Sequence, residues 1–322
     1  MSKIWISLGL LLCYSASLNA EWHYHKFNVM GTQAAVEIWQ PDQQKAKQQI
    51  QSVVDEMERI NQTMSPYIAT SGLSIINANA ATRPVKVSQE LFEILQRSIE
   101  FSRLTDGVFD ISFASIGYKY DYRNKQKPQQ SFIDQHLDAI DYQAIQLDRQ
   151  KRSVKFNKAK TKIDLGGIAK GLAVDNAIAI LQRQGIKHAF VQAGGDSRVL
   201  GDRRGRLWNI GIQHPRKEDE VITKIPLENV AVSTSGDYER FYIEDGERIH
   251  HIIDPKTGKS SYSSLSVTVI AENSTKADAL STSVFILGAE KGLELINSLE
   301  DVSAIIIDNK GKFHFSNDLV SQ

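Results

Sequence analysis

The 322-residue chain holds a single cysteine, Cys13, so no disulfide can form within it. Proline is sparse, at seven residues, and no proline-rich stretch marks a linker between domains. Charge of one sign is not in excess: 38 Lys+Arg balance 38 Asp+Glu, which leaves no global basic field to draw in nucleic acid or an anionic membrane surface. Low-complexity tracts and fixed-period repeats are also missing. What remains, 41% hydrophobic and 24% charged residues, is the composition of an ordinary folded protein whose partner is small or local.

The N-terminus reads MSKIWISLGLLLCYSASLNAEW, with one lysine, an apolar run from Ile4 to Cys13, and small polar residues up to Ala20. This is the pattern of a Sec-type secretory signal peptide, residues 1–20. The apolar run is shorter than the roughly 20 residues that span a bilayer. LLLC is a poor lipobox because Leu12 stands where a small residue is wanted. A soluble periplasmic protein is therefore expected, with attachment to the inner membrane as the alternative if the signal is retained or lipidated. Cleavage would remove Cys13, and with it thiol catalysis and thiolate metal sites. Residues 21–322 are then expected to form one domain.

Hydrophobic spacing places helices along this stretch. Ile50, Val53, Val54, Met57 and Ile60 predict a helix over 43–64. A second covers 88–105, with Ser88 as its cap and Gly107 past its end. Strands are expected at 26–39, at 152–157 and 161–165 as a hairpin, at 187–193 before a double glycine, and repeatedly through 207–270. A last helix runs over 275–287. Long helices with many short strands predict an α+β fold, helices packed on mainly antiparallel sheet.

Three stretches carry chemistry. IDLGGIAKG, residues 163–171, is neither a phosphate-binding P-loop nor a dinucleotide fingerprint, because Lys170 precedes its glycine and the glycine spacing differs. Gly166 and Gly167 nevertheless leave the main chain bare, and the helix that follows turns free amides and a positive dipole end toward an anion. A tight turn beside a solvated lysine explains the same residues. In KADALSTSVFILG, residues 276–288, Asp278 and Thr282 lie one helical turn apart, so a carboxylate and a hydroxyl share a stripe that suits a hard cation such as Mg²⁺. Dipole compensation by Asp278 and a bond from Thr282 to its own backbone are the plain alternatives. In RIHHIIDPKTG, His250 and His251 are adjacent at a strand end, so only one can face a site, and the other is expected at the surface.

Eight blocks in order, NVMGT (28–32), MSPY (64–67), TDGVFD (105–110), IDLGGIAKG (163–171), VQAGGD (191–196), STSGDYERFY (233–242), HIIDPKTG (251–258) and KADALSTSVFILG (276–288), resemble the ApbE family of flavin transferases along most of the chain past residue 20. The resemblance implies a T-fold-like α+β architecture, export, and dependence on Mg²⁺. It implies that Met30, Tyr67, Val108, Phe109, Asp110 and Asp164 line the FAD site. The diphosphate would lie near the glycine-rich turns, with Gly194 and Gly195 in the cofactor site. Asp278 and Thr282 would ligate Mg²⁺ through side chains, and a main-chain carbonyl at about Gly167 would complete the set. Lys170, His251 and Arg240 are then candidates to hold phosphates or move a proton, and Asp278, His251 and Lys170 the catalytic candidates.

The activity implied is transfer of FMN from FAD to a threonine or serine hydroxyl of an acceptor protein bearing an S/T-G-A-T/S motif, for example a membrane-associated redox subunit, with release of AMP. Hydrolysis of FAD to FMN and AMP, and flavin binding without turnover, remain as alternatives. The chain contains no S/T-G-A-T/S motif of its own, which favours a donor enzyme over a covalent flavoprotein.

Overall fold

The structure, a computed structural model, describes residues 21–217 and 220–320, so the expected signal peptide and Cys13 lie outside the described residues. Its centre is an eight-stranded sheet whose strands follow one another in chain order: β1 (Glu21–Val29), β2 (Thr32–Gln40), β3 (Ala189–Ala193), β4 (Asp196–Leu200), β5 (Ala231–Gly236), β6 (Ser264–Ala271), β7 (Val302–Asp308) and β8 (Phe313–Phe315). Every neighbouring pair is antiparallel. Among the described residues, no helix is long and apolar enough to cross a membrane.

Helices cover the sheet. α1 (Gln43–Met64) begins at Asp42, whose carboxylate accepts from the amides of Gln44 and Lys45, and buries Ala46, Val53, Met57, Ile60 and Met64 at helical spacing. α2 (Gln89–Leu104) is capped by Ser88, as its sequence predicts. α3 (Ala169–Arg183) and α4 (Ser274–Asn297) pack on each other and on the sheet. Their contact is close because Gly171 has no side chain: a Cβ there would sit 2.4 Å from the Ser274 carbonyl oxygen. α4 is two helices joined at Gly288, whose φ of 77° breaks it where the sequence ends it.

Two expectations for strands need correction. Residues 26–39 are not one strand but the two strands of a hairpin, β1 and β2, turning at Met30 and Gly31 with φ of 53° and 71°. Both residues occupy the left-handed region that a two-residue hairpin turn demands, and a methionine gives little warning of that. Residues 161–165 are not a strand. The partners of Ser153–Phe156 are Ile145–Asp148 and Val85–Lys86, and the backbone near Asp164 is held instead by the Asn77 side chain and the Ile111 carbonyl.

Candidate active site

The ends of these elements meet around Lys170. Its ammonium lies 2.9 Å from the Gly166 carbonyl oxygen, 2.9 Å from Asp196 and 3.3 Å from Asp278. Asp196 starts β4 directly after the Gly194–Gly195 turn, and Asp278 projects from the second turn of α4. Both are almost fully buried, at 1% and 3% exposure. Two carboxylates thus share one ammonium, which leaves a formal charge of −1 in a buried place. Burial alone would lower the pKa of Lys170, but Asp196 and Asp278 outweigh it and hold the amine above the ordinary lysine range. Asp278 is pushed upward, first by burial and then by the charge of Asp196, against the pull of Lys170 and the Gly171 amide.

The amide of Gly171, in the first turn of α3, donates to Asp278 at 3.1 Å. The anion that the sequence expects at this helix end is thus met in part by the protein's own carboxylate. Thr282 does not take the plain alternative of bonding its own backbone. Its hydroxyl is 3.3 Å from Ser235, while its neighbour Ser283 bonds the Ala279 carbonyl. From Thr282 a chain of hydroxyls runs through Ser235, Ser281 and Ser233 to Asp196, with steps of 3.3, 2.9, 3.0 and 2.6 Å. Gly167 faces this corner, since a Cβ on it would lie 3.5 Å from the Thr282 hydroxyl and 3.4 Å from the Phe109 ring. The donors available here, a carboxylate, a hydroxyl and bare main chain, are all oxygens, which suits Mg²⁺ and not zinc.

Arg240 and His251 flank the corner. A Cβ on Gly31 would lie 3.4 Å from an Arg240 guanidinium nitrogen, which puts the Met30–Gly31 turn beside that charge. The His251 amide donates to the Arg240 carbonyl, and its ring nitrogen Nδ1 is buried without a hydrogen-bond partner among the described residues. Burial first, then the charges of Arg240, His250 and Lys170, lower its pKa to about 3, so the imidazole is neutral at physiological pH. His250 points into the core instead of the surface expected for one of the pair: Nε2 donates to the Ser261 carbonyl at 2.7 Å, Nδ1 accepts from Ile252, and the ring packs edge-on to Phe285.

The remaining candidates fall into two groups. Asp164 accepts from the Gly166 amide at 2.6 Å and feels the charges of Arg240 and Lys170, although burial still raises its pKa. Tyr67 is 85% exposed and within electrostatic reach of Tyr118 and Tyr122. By contrast, Val108 and Phe109 are buried, and both oxygens of Asp110 are taken by Ser112 and the Tyr142 amide. Gly194 and Gly195 are required by the sheet itself: a Cβ on them would meet Thr32 at 2.9 Å and the Thr234 carbonyl at 2.4 Å. A cleft of about 630 Å³ lies between Pro66, Asn77, Tyr118, Lys119 and Lys162; Tyr118 on its wall neighbours Asp164, and no residue of the Lys170 cluster lines it.

Sequence reasoning missed Asp196 and the serines. The signal was present, since Ser233 and Ser235 alternate on a strand and so share one face, but nothing local says that this face meets α4.

Helices on an antiparallel sheet, with an oxygen-lined anionic corner beside a glycine-led helix and an exposed arginine, define the class: an α+β protein whose candidate site offers oxygen donors and positive charge side by side. The chain belongs to the ApbE family, whose profile matches residues 30–306. It is 31% identical over 279 residues to the FAD:protein FMN transferase of Haemophilus influenzae, covering 83% of this chain and 80% of that one. Among solved structures it superposes on the ApbE protein of Thermotoga maritima with a TM-score of 0.85 at 32% identity, covering 94% of this chain and 99% of that one. The flavin transferase ApbE from Vibrio cholerae gives 0.84 at 26% identity, with the same coverage of 94% and 99%.

Proposed function

We propose that this protein is an exported, periplasmic enzyme that transfers FMN from FAD to a threonine or serine hydroxyl of an acceptor protein, releasing AMP in an Mg²⁺-dependent reaction. The observation that carries the reading is the meeting of Asp278 and Thr282 with the bare backbone at Gly166–Gly167, in a corner of net negative charge. The names of its relatives agree with flavin transfer.

In this reading Asp278, Thr282 and the main chain at Gly167 hold Mg²⁺, which when bound polarises the diphosphate and neutralises charge on departing AMP. Arg240, exposed beside the Met30–Gly31 turn, pairs with a phosphate. The flavin ring covers Tyr67, an aromatic side chain with little of its own protein around it. The acceptor oxygen bonds to the FMN-side phosphorus as the bond from that phosphorus to the bridging oxygen breaks, and AMP keeps that oxygen. Neutral His251 has a lone pair to take the acceptor proton, and a nearby phosphate raises its basicity from the value set by Arg240 and Lys170. Positioning and charge account for most of the rate.

The test is mass spectrometry of an S-G-A-T-containing acceptor after incubation with the protein, FAD and Mg²⁺. A gain of one FMN on the acceptor is expected, and Asp278→Ala is expected to slow it on the order of 10³-fold. Free FMN and AMP with an unmodified acceptor would make the protein a hydrolase, and intact FAD a carrier. An Asp278→Ala protein that labels its acceptor at the normal rate would refute the metal assignment.

A further inference from the structure

Lys170 sits closer to the proposed cation ligands than a residue reserved for phosphate needs to be. Its ammonium touches the Gly166 carbonyl, next to Gly167, at 2.9 Å and both oxygens of Asp278 at 3.3 and 3.4 Å. A cation with those neighbours occupies ground that a divalent ion on Asp278 would need. Its third partner is of another kind: Asp196 contributes nothing to the proposed ligand set, yet it is buried, 2.9 Å from the ammonium, and fixed by the Ser233 hydroxyl at 2.6 Å. A buried carboxylate without a cation of its own is costly, so its presence here calls for a role.

We infer that the Lys170 ammonium is a built-in competitor for the divalent cation, resting on Asp278 and Gly166 in the metal-free protein, and that Asp196 is the positioning residue that keeps it when a metal ion takes Asp278. The inference rests on the proposed Mg²⁺ position. Its logic is charge matching. Two carboxylates share one ammonium in the structure; with a metal ion on Asp278, Asp196 keeps the lysine, so each carboxylate has a cation. The long flexible stem of lysine lets the ammonium leave Asp278 while staying on Asp196. Were Asp196 missing, the displaced charge would be stranded beside a second, larger positive charge in a buried place. The chain of hydroxyls from Ser233 to Thr282 fixes the distance between this resting carboxylate and the metal corner.

The test uses Mn²⁺ in place of Mg²⁺, titrated into the full protein without flavin or acceptor, with free Mn²⁺ followed by electron paramagnetic resonance. Lys170→Met is expected to tighten Mn²⁺ binding about tenfold by removing the competing charge, and Asp278→Asn to abolish it. Asp196→Asn is expected to weaken binding more when Lys170 is present than in the Lys170→Met background, a coupling that a purely structural carboxylate would not show. Crystals of the wild-type protein grown with Mn²⁺, which need no variant to fold, are expected to show the ammonium on Asp196 and withdrawn from Asp278 and Gly166. Equal affinity in wild type and Lys170→Met, or a metal-bound crystal with the ammonium still on Asp278, overturns the inference alone. Mn²⁺ that binds neither protein, or binds regardless of Asp278→Asn, sinks the metal reading and the inference together.

Discussion

His251 is a buried imidazole that Arg240, His250 and Lys170 keep neutral, with a folded-state pKa near 3 against about 6.5 in the unfolded chain. A pKa lowered by folding contributes stability that is fully present above the unfolded value and lost as pH falls toward the folded one. For this residue the loss falls between pH 6.5 and 3. Between pH 7 and pH 5 the wild-type protein should therefore lose about 2 kcal/mol more unfolding free energy than His251→Gln, which cannot take up that proton. Urea unfolding at the two pH values measures it, and equal losses in both proteins would mean that His251 is charged in the folded state. The sequence showed that at most one histidine of the pair can face a site, because adjacent strand residues point apart. It could not show which, because that depends on the Ser261 carbonyl and the Phe285 ring closing around His250. In the same way Lys170 was legible as an oddity in a helix's first turn, while its partner Asp196 reaches it only through the folding of β3 and β4 against α3.

At the scale of elements, the close crossing of α3 and α4 holds the corner together. Gly171 permits it, and the gap left by its missing side chain is also what lets its amide reach Asp278. Gly171→Ala must push the Ser274 backbone away, so it should cost about 1–3 kcal/mol by overpacking and also weaken divalent-cation binding. Gly185→Ala, just past the C-terminal end of the same helix, meets nothing within 4 Å but has φ of +84°. It should cost only the left-handed backbone strain, about 1 kcal/mol, and leave cation binding unchanged. Chemical denaturation with a Mn²⁺ titration of each variant separates the two, and equal effects would show that the crossing does not control the site. Long periodic helices were legible because burial of one face is written every third or fourth residue, as in Val53, Met57 and Ile60. The Met30–Gly31 turn was not, since methionine in a left-handed conformation runs against its own preference and is held by the pairing of β1 with β2. The alternating pattern at 161–165 misled for the opposite reason: its backbone finds partners in the Asn77 side chain and Ile111, not in a neighbouring strand.

At the scale of the whole molecule, the candidate residues reach from Met30 to Thr282 and come from the β1–β2 turn, the lead-in to α3, the β3–β4 turn, the segment after β5, and α4. Sequence blocks dispersed along the chain thus converge because the sheet keeps its strands in chain order and turns their ends toward the same helices. A ligand that spans such a corner binds only the assembled molecule, and it stabilises the fold by mass action, by about 2.7 kcal/mol at a hundredfold excess over its dissociation constant. FAD at that excess should therefore raise the melting temperature by several degrees. The effect should require Mg²⁺, because the diphosphate would otherwise face the negative charge that Asp196 and Asp278 hold in excess over Lys170. Differential scanning fluorimetry with FAD alone, Mg²⁺ alone and both together measures this, and Asp278→Asn should erase the difference between FAD with and without metal. A full FAD-induced shift in the presence of EDTA would mean that the flavin binds away from the carboxylate corner.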